Sequence, residues 1–174
     1  MSATPRDATP REHKAHAPAR VTCFVVTVSD TKTDATDTSG ALIRELLAAA
    51  GHAVAGSVIV RDEPADVARL VRAACARTDV QVVILTGGTG ITSRDSTFEA
   101  VEGLLDKRLP GFGELFRVLS YQEVGAAAML SRAQMGVHAR RVVVSLPGSP
   151  SACRLALEKL LIPEFGHLVH ELSR

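Results

Sequence analysis

Two kinds of apolar pattern alternate along this chain. Short β-branched blocks at 21–28, about 53–60, 80–85 and 141–146 read as strands buried on both faces. Between them apolar residues recur at three- and four-residue spacing. Leu42, Ile43, Leu46, Leu47 and Ala50 form one stripe, closed by Gly51 where a helix C′ glycine belongs. Val67, Leu70, Val71, Ala74 and Cys75 follow Pro64, a residue well tolerated at a helix start. Phe98, Val101, Leu104 and Leu105 follow the capping-box pattern Ser96-x-x-Glu99. After Pro110-Gly111, residues 114–133 read as helical with a break near Gly125. A helix after Pro150 carries Cys153, Ala156, Leu157, Leu160 and Leu161, and a last one begins at Pro163.

This alternation predicts an α/β domain of three layers, with a mostly parallel sheet between helices on both faces. It spans 20–174 as a single domain behind a flexible tail at 1–19, which is rich in Ala, Pro, Thr, Arg and His. In such sheets ligands bind beyond the carboxyl ends of the strands. Here those ends are Ser29-Asp30, Asp62-Glu63, Thr86 to Gly90, and Pro147-Gly148-Ser149.

The stretch after the third strand is the densest in chemistry: Leu85-Thr-Gly-Gly-Thr-Gly-Ile-Thr-Ser-Arg-Asp-Ser-Thr-Phe-Glu99. Gly87, Gly88 and Gly90 allow positive φ and close approach of a ligand to backbone N–H groups. With Thr86 and Thr89 they make a strand–loop–helix cradle for an anion. The loop lacks the Gly-Lys-Ser/Thr ending of a P-loop, and as a dinucleotide motif it has Ser93 where the third glycine belongs. In isolation it is equally an ordinary tight βα turn. Four polar strand ends on one edge favour a site.

Asp95 precedes a helix, and Asp62 ends the second strand and precedes another. Either carboxylate can serve simply as a helix-start charge, worth about 0.3–1 kcal/mol. Ser96 and Thr97 are available as caps, which leaves Asp95 for other work. Two carboxylates beside a phosphate cradle suit Mg²⁺, which takes few protein carboxylates together with substrate phosphate oxygens. Arg94, Arg117 and Arg132 are candidate grips for anionic groups, with ordinary exposed arginines as the alternative. His167-x-x-His170 has no accompanying zinc-ligand set and reads as a surface or interface pair.

Composition excludes several classes. The net charge of +1 gives no general basic field, and few aromatics with no Trp give no stacking platform, so nucleic acid is not an expected partner. Cys23, Cys75 and Cys153 lie far apart in apolar runs and read as buried reduced thiols of a cytoplasmic protein. No apolar run has membrane-spanning length, and the N-terminal residues show no signal core.

Five ordered motifs carry a family resemblance. They are Thr86-Gly-Gly-Thr-Gly-Ile-Thr-Ser-Arg-Asp95, Pro110-Gly-Phe-Gly-Glu114 with Phe116-Arg117, Leu119-Ser120-Tyr121, Leu130-Ser131-Arg132-Ala133 and Leu146-Pro-Gly-Ser-Pro150. Together they resemble the MoaB/MogA family of molybdenum cofactor biosynthesis over about 20–173. The polar loop 29–40 and the short segment after Pro150 resemble its MoaB branch. The resemblance implies a domain that binds molybdopterin and, in active members, ATP. Such members transfer AMP to the terminal phosphate of molybdopterin with Mg²⁺ and release pyrophosphate. It places the family's two important aspartates on Asp62 and Asp95. The ligand loops fall on Thr86 to Gly90 and Pro147 to Ser149, with Ser29 and Asp30 at the first strand end and Glu114 and Ser120 lining the pocket. It further implies a homotrimer or homohexamer, with a molybdenum-insertion enzyme as a downstream partner. The alternative function is a non-catalytic molybdopterin-binding or scaffold protein of the same pathway.

Overall fold

In the computed structural model, residues 18–93 and 95–174 are described. The tail read at 1–19 lies almost wholly outside them, as does Arg94. Four strands form the parallel part of the sheet: β1 (Thr22–Val28), β2 (Ala53–Val60), β3 (Val82–Thr86) and β6 (Arg141–Leu146), in the order β2-β1-β3-β6. Each was legible as an apolar block. Two more strands, β5 (Gln134–His138) and the two-residue β4 (Lys107–Arg108), extend the β6 edge antiparallel. The sheet is therefore a three-layer α/β sheet, mostly parallel.

Among the described residues, six α-helices complete the layers: α1 (Thr38–Ala49), α2 (Pro64–Ala76), α3 (Thr97–Glu102), α4 (Pro110–Val124), α5 (Pro150–Ala156) and α6 (Phe165–Ser173). Side chains alternate across each strand, so neighbouring residues enter different layers. Val25, Ile84 and Val144 pack with Ile43 and Leu47 of α1, Phe112 and Phe116 of α4, Cys153 of α5 and Phe165 of α6. Val26, Val83, Leu85 and Val143 pack on the other face with Val67, Val71 and Ala74 of α2 and Val101 of α3. Burial of these aliphatic side chains, about 1.5–3 kcal/mol each, is what holds the layers together.

The region 114–133 is helical with a break at Gly125, as read, except that its second part is 3₁₀ and gives way to β5. α4 ends at Val124, a 3₁₀ segment covers Gly125–Leu130, and the chain then enters β5. Gly125 marks the break, with φ +61. The β5–β6 hairpin turns through Ala139 and Arg140, both at positive φ (47° and 62°) without a glycine or asparagine. External bonds hold that conformation. The Ala139 N–H donates to Asp106 Oδ2 at 2.7 Å, and the Arg140 guanidinium donates to the Leu172 carbonyl. After α5 the chain passes through a π-helical turn at Leu157–Leu161, and α6 starts at Phe165, two residues after the expected Pro163. No helix among the described residues is long and apolar enough to cross a membrane.

Candidate functional site

The strand register sets the site. Val28 pairs with Val60, Thr27 with Thr86, and Thr86 with Leu146. Ser29-Asp30, Arg61-Asp62, Gly87-Gly88 and Pro147-Gly148 therefore leave the sheet side by side. After β1 the chain enters α1 on one face, and after β3 it enters α3 on the other. The gap between β1 and β3 is the topological switch point, where open α/β sheets bind ligands.

Within the loop after β3, Gly87 (φ +100) and Gly88 (φ +62) adopt left-handed conformations. The space around them is tighter than a ligand alone would demand. A Cβ on Gly87 would strike the Val28 carbonyl oxygen. One on Gly88 would strike Thr97 Oγ1 and come within 2.6 Å of Asp62 Oδ2, and one on Gly90 would meet the Asp95 carboxylate. The Gly87 N–H already donates to the Leu146 carbonyl at 3.1 Å. Thr86 is buried, and its hydroxyl donates to the Pro147 carbonyl at 3.0 Å. These groups shape the cradle from behind. Among the described residues, the N–H groups of Gly88 and Thr89 have no protein acceptor and are the donors the loop retains.

The loop 147–149 lies directly on the glycine loop, since a Cβ on Gly148 would be 3.4 Å from the Gly87 Cα. Ser149 caps α5 by accepting the Ala152 N–H. Ser39 Oγ donates to the Gly148 carbonyl at 2.7 Å. Asp37, buried, caps α1 by accepting the Gly40 N–H at 2.9 Å and the Thr27 hydroxyl at 2.7 Å. Asp37 and Ser39 were not singled out from the sequence. Asp37-Thr-Ser-Gly ahead of an apolar period was the available signal, an N-cap pattern.

The two aspartates border the glycine loop, Asp62 at Gly88 and Asp95 at Gly90. Asp62 is 9% exposed, and its Oδ1 accepts the Ser96 hydroxyl at 2.9 Å and the Ser96 N–H at 3.3 Å. Asp95 directly precedes Ser96 and accepts the Thr92 N–H at 2.9 Å together with the Thr92 hydroxyl. That hydroxyl bond, outweighing partial burial, holds the Asp95 carboxyl below its usual range. The capping box does not form: Ser96 makes no cap bond because its hydroxyl serves Asp62, and Glu99 pairs with Arg132. Beside Asp62, the Thr97 hydroxyl is buried with no partner. Asp30 Oδ1 accepts the Asp62 N–H at 3.2 Å, and Ser29 Oγ accepts the N–H groups of Thr31 and Lys32, turning the loop after β1.

Glu114 and Ser120 part company. Ser120 shares a cleft of about 260 Å³ with Pro147, Ser149 and Phe116. Glu114 lines a different cleft with Arg117, Arg108 and Gln134. Both sit on α4, but six residues of helix separate them, so only Ser120 adjoins the loop 147–149. Arg132, read as a candidate anion grip, instead turns its guanidinium onto the glycine loop's own carbonyls. His167 pairs with Glu164 at 3.2 Å, and no three His, Cys, Asp or Glu side chains cluster as metal ligands among the described residues. All three cysteines are free and buried, and burial pushes the Cys23 thiol up to about 12 and those of Cys75 and Cys153 up to about 11.

Comparison with known proteins decides the family. The family described as "Probable molybdopterin binding domain" matches residues 24–167. The chain belongs to the MoaB/MogA molybdopterin-binding family. Molybdenum cofactor biosynthesis protein B of Bacillus cereus is 53% identical over 164 residues, covering 94% of this chain and 97% of that protein. A crystal structure of a molybdenum cofactor biosynthesis protein B is 53% identical, with a TM-score of 0.88 over 91% of this chain and 99% of the other. The tungsten cofactor synthesizing protein MoaB from Pyrococcus furiosus is 38% identical, with a TM-score of 0.81 over 91% of this chain and its full length. The MoaB proteins of these structures thus share this fold.

Proposed function

We propose that this chain adenylylates molybdopterin in molybdenum cofactor biosynthesis, with ATP as the second substrate. The observation that carries the reading is that the Asp62 and Asp95 carboxylates both border the glycine loop, at Gly88 and Gly90, where the Gly88 and Thr89 N–H groups remain as donors. In the reaction, a terminal phosphate oxygen of molybdopterin attacks the α-phosphorus of ATP. The new P–O bond links AMP to the pterin phosphate, and the bond to the β-phosphate breaks to release pyrophosphate. Little covalent chemistry is asked of the protein in phosphoryl transfer; positioning and charge stabilisation dominate.

The residues present fit a hard divalent cation such as Mg²⁺, because Asp62 and Asp95 supply carboxylate oxygens and the buried Thr97 hydroxyl beside Asp62 lacks a partner. Asp62 and Asp95 would hold it, and it would neutralise phosphate charge. The Gly88 and Thr89 N–H groups bind phosphate oxygens. The cleft along Phe116, Ser120 and Pro147 gives an apolar and polar wall for the pterin. Ser39 and Asp37 fix that wall by holding the loop 147–149 and the start of α1.

An assembly of identical chains is part of this reading. Leu115, Val118, Tyr121 and Val124 recur every three residues on α4 and are each more than half exposed, with Met129 and Leu130 beyond them. Such an apolar stripe on a helix favours a homo-oligomer, trimer or hexamer, over a lone chain.

The deciding experiment incubates purified protein with molybdopterin, ATP and Mg²⁺ and measures adenylyl-molybdopterin and pyrophosphate. Stoichiometric formation of both supports the proposal. Tight retention of pterin without turnover replaces it with a binding protein, and absence of pterin binding leaves a scaffold. Light scattering on the same sample checks the assembly, and a stable monomer at micromolar concentration refutes that part.

A further inference from the structure

Arg132 lies just before β5, between 37 and 43 residues from the loop it contacts. Its Nε donates to the Thr89 carbonyl at 3.1 Å. One terminal nitrogen donates to the Gly90 carbonyl and, at 3.2 Å, to the Asp95 carbonyl. The other pairs with the Glu99 carboxylate in the first turn of α3. The guanidinium carbon sits 5.1 Å from the centre of the Phe98 ring. Two residues on, Gln134 Nε2 donates to the Phe98 carbonyl at 2.7 Å. The side chains of Arg132 and Gln134 thus donate to four carbonyls running from the glycine loop into α3: Thr89, Gly90, Asp95 and Phe98.

This arrangement has a directional consequence. A peptide whose carbonyl is held by a cation turns its N–H the other way. The peptides set this way before any anion arrives are Thr89–Gly90, whose N–H faces the Asp95 carboxylate, and Gly90–Ile91, directly after the Gly88 and Thr89 donors. The Asp95 backbone is fixed by the same group, so loop and carboxylate are aligned by one side chain. Three-quarters of that side chain is covered. The planar fork of five N–H donors allows one arginine to do this, whereas a lysine ammonium is a single point of charge with no fork.

We infer that Arg132 is a positioning residue that presets the glycine loop and Asp95 for the phosphate chemistry, without itself touching substrate. The inference rests on the adenylylation reading for its kinetic consequence, and on geometry alone for its effect on the loop.

The test uses Arg132→Lys and Arg132→Ala, with Arg69→Ala as a control. Arg69 forms an exposed pair with Asp66 on α2 and contacts neither the glycine loop nor Asp95 in any bond described above. Two measurements are made on the intact protein. Amide hydrogen exchange reads the order of residues 88–95, and steady-state kinetics reads adenylylation. Both Arg132 variants are expected to lose protection at the Thr92 and Asp95 amides, which are hydrogen-bonded in the parent, while the sheet core keeps it. Turnover falls about 10²-fold, the scale of a misplacement near 1 Å, with a much smaller change in KM for molybdopterin. Added guanidinium restores part of both protection and turnover in Arg132→Ala, and the control matches the parent. Unchanged loop protection in folded variants overturns the inference. So does a global loss of stability without guanidinium rescue, which marks a packing role only. If the parent itself never adenylylates, exchange still decides: selective loosening of 88–95 upholds the latch while the functional reading fails.

Discussion

Asp62 and Asp95 both border the glycine loop, yet they reach that place by different means. Asp62 follows β2 and finds its hydroxyl and amide donors 34 residues away, in the loop after β3. Its position depends on the sheet register. Asp95 finds its donors three residues back, at Thr92, inside its own loop. Its position depends on that short turn and on Arg132. One carboxylate is buried and placed by the fold; the other is partly exposed and placed by a local structure that a distant arginine steadies. A site built this way has one rigid half and one adjustable half.

Replacing the carboxylates separates the halves most strongly. Asp62→Asn and Asp95→Asn are each expected to lower adenylylation about 10²–10³-fold, the usual effect of removing a preorganised electrostatic element. Molybdopterin affinity should fall far less, because a carboxylate does not attract an anionic phosphate. Asp62→Asn should lower the melting temperature more than Asp95→Asn, since it weakens bonds that join two loops. Turnover equal to the parent in both variants removes them from the chemistry.

Gly88→Ala probes the contact between the halves. The substitution places a methyl between Thr97 Oγ1 and Asp62 Oδ2 in a left-handed conformation, which alone costs an L-residue about 1–2 kcal/mol. Thermal unfolding should show a loss at least that large, accompanied by lost ligand binding. A variant as stable as the parent means that the loop yields more readily than its packing implies.

Ser96→Ala removes one hydroxyl donor from the Asp62 carboxylate and leaves Asp95 its Thr92 bonds. Hydrogen bonds to charged groups contribute roughly 1.5–3 kcal/mol, so a drop in denaturation midpoint within that scale is expected, with the acid limb of turnover unshifted for Asp95. Thr92→Ala has the smallest expected effect and the opposite signature. The Thr92 hydroxyl is the main cause of the lowered Asp95 pKa. Because a depressed folded pKa contributes stability that is present above the unfolded value and lost as pH falls, removing that bond lessens this contribution. Asp95 then protonates at a higher pH, so the acid limb of the pH–rate profile should move upward. An unmoved limb shows that Asp95 does not control it.

Legibility followed the range of the forces. The parallel strands were readable because burial on both faces demands continuous β-branched runs, as at 21–28 and 80–85. The antiparallel strands β4 and β5 were not readable. β4 has two exposed residues, β5 reads Gln-Met-Gly-Val-His, and the β5–β6 turn uses Ala139-Arg140 where asparagine and glycine would have announced it. Their strand character comes from pairing alone. The Ser96–Glu99 capping box was a sound local pattern that lost to distant partners: Asp62 took the serine and Arg132 took the glutamate. Arg132 gave no local sign of its role, because its partners lie on α3 and in the loop before it.

The sequence by itself determined the layers, the parallel strands and the polar character of their carboxyl ends, because periodic burial and glycine or carboxylate placement are properties of neighbouring residues. Family membership was also written there, in five motifs kept in order. Only the tertiary structure decided which glycine-loop groups remain as donors, that Glu114 and Ser120 line different clefts, and that Arg132 faces inward. Each of these depends on register and on contacts between residues far apart in the chain, and no local window of sequence carries that information.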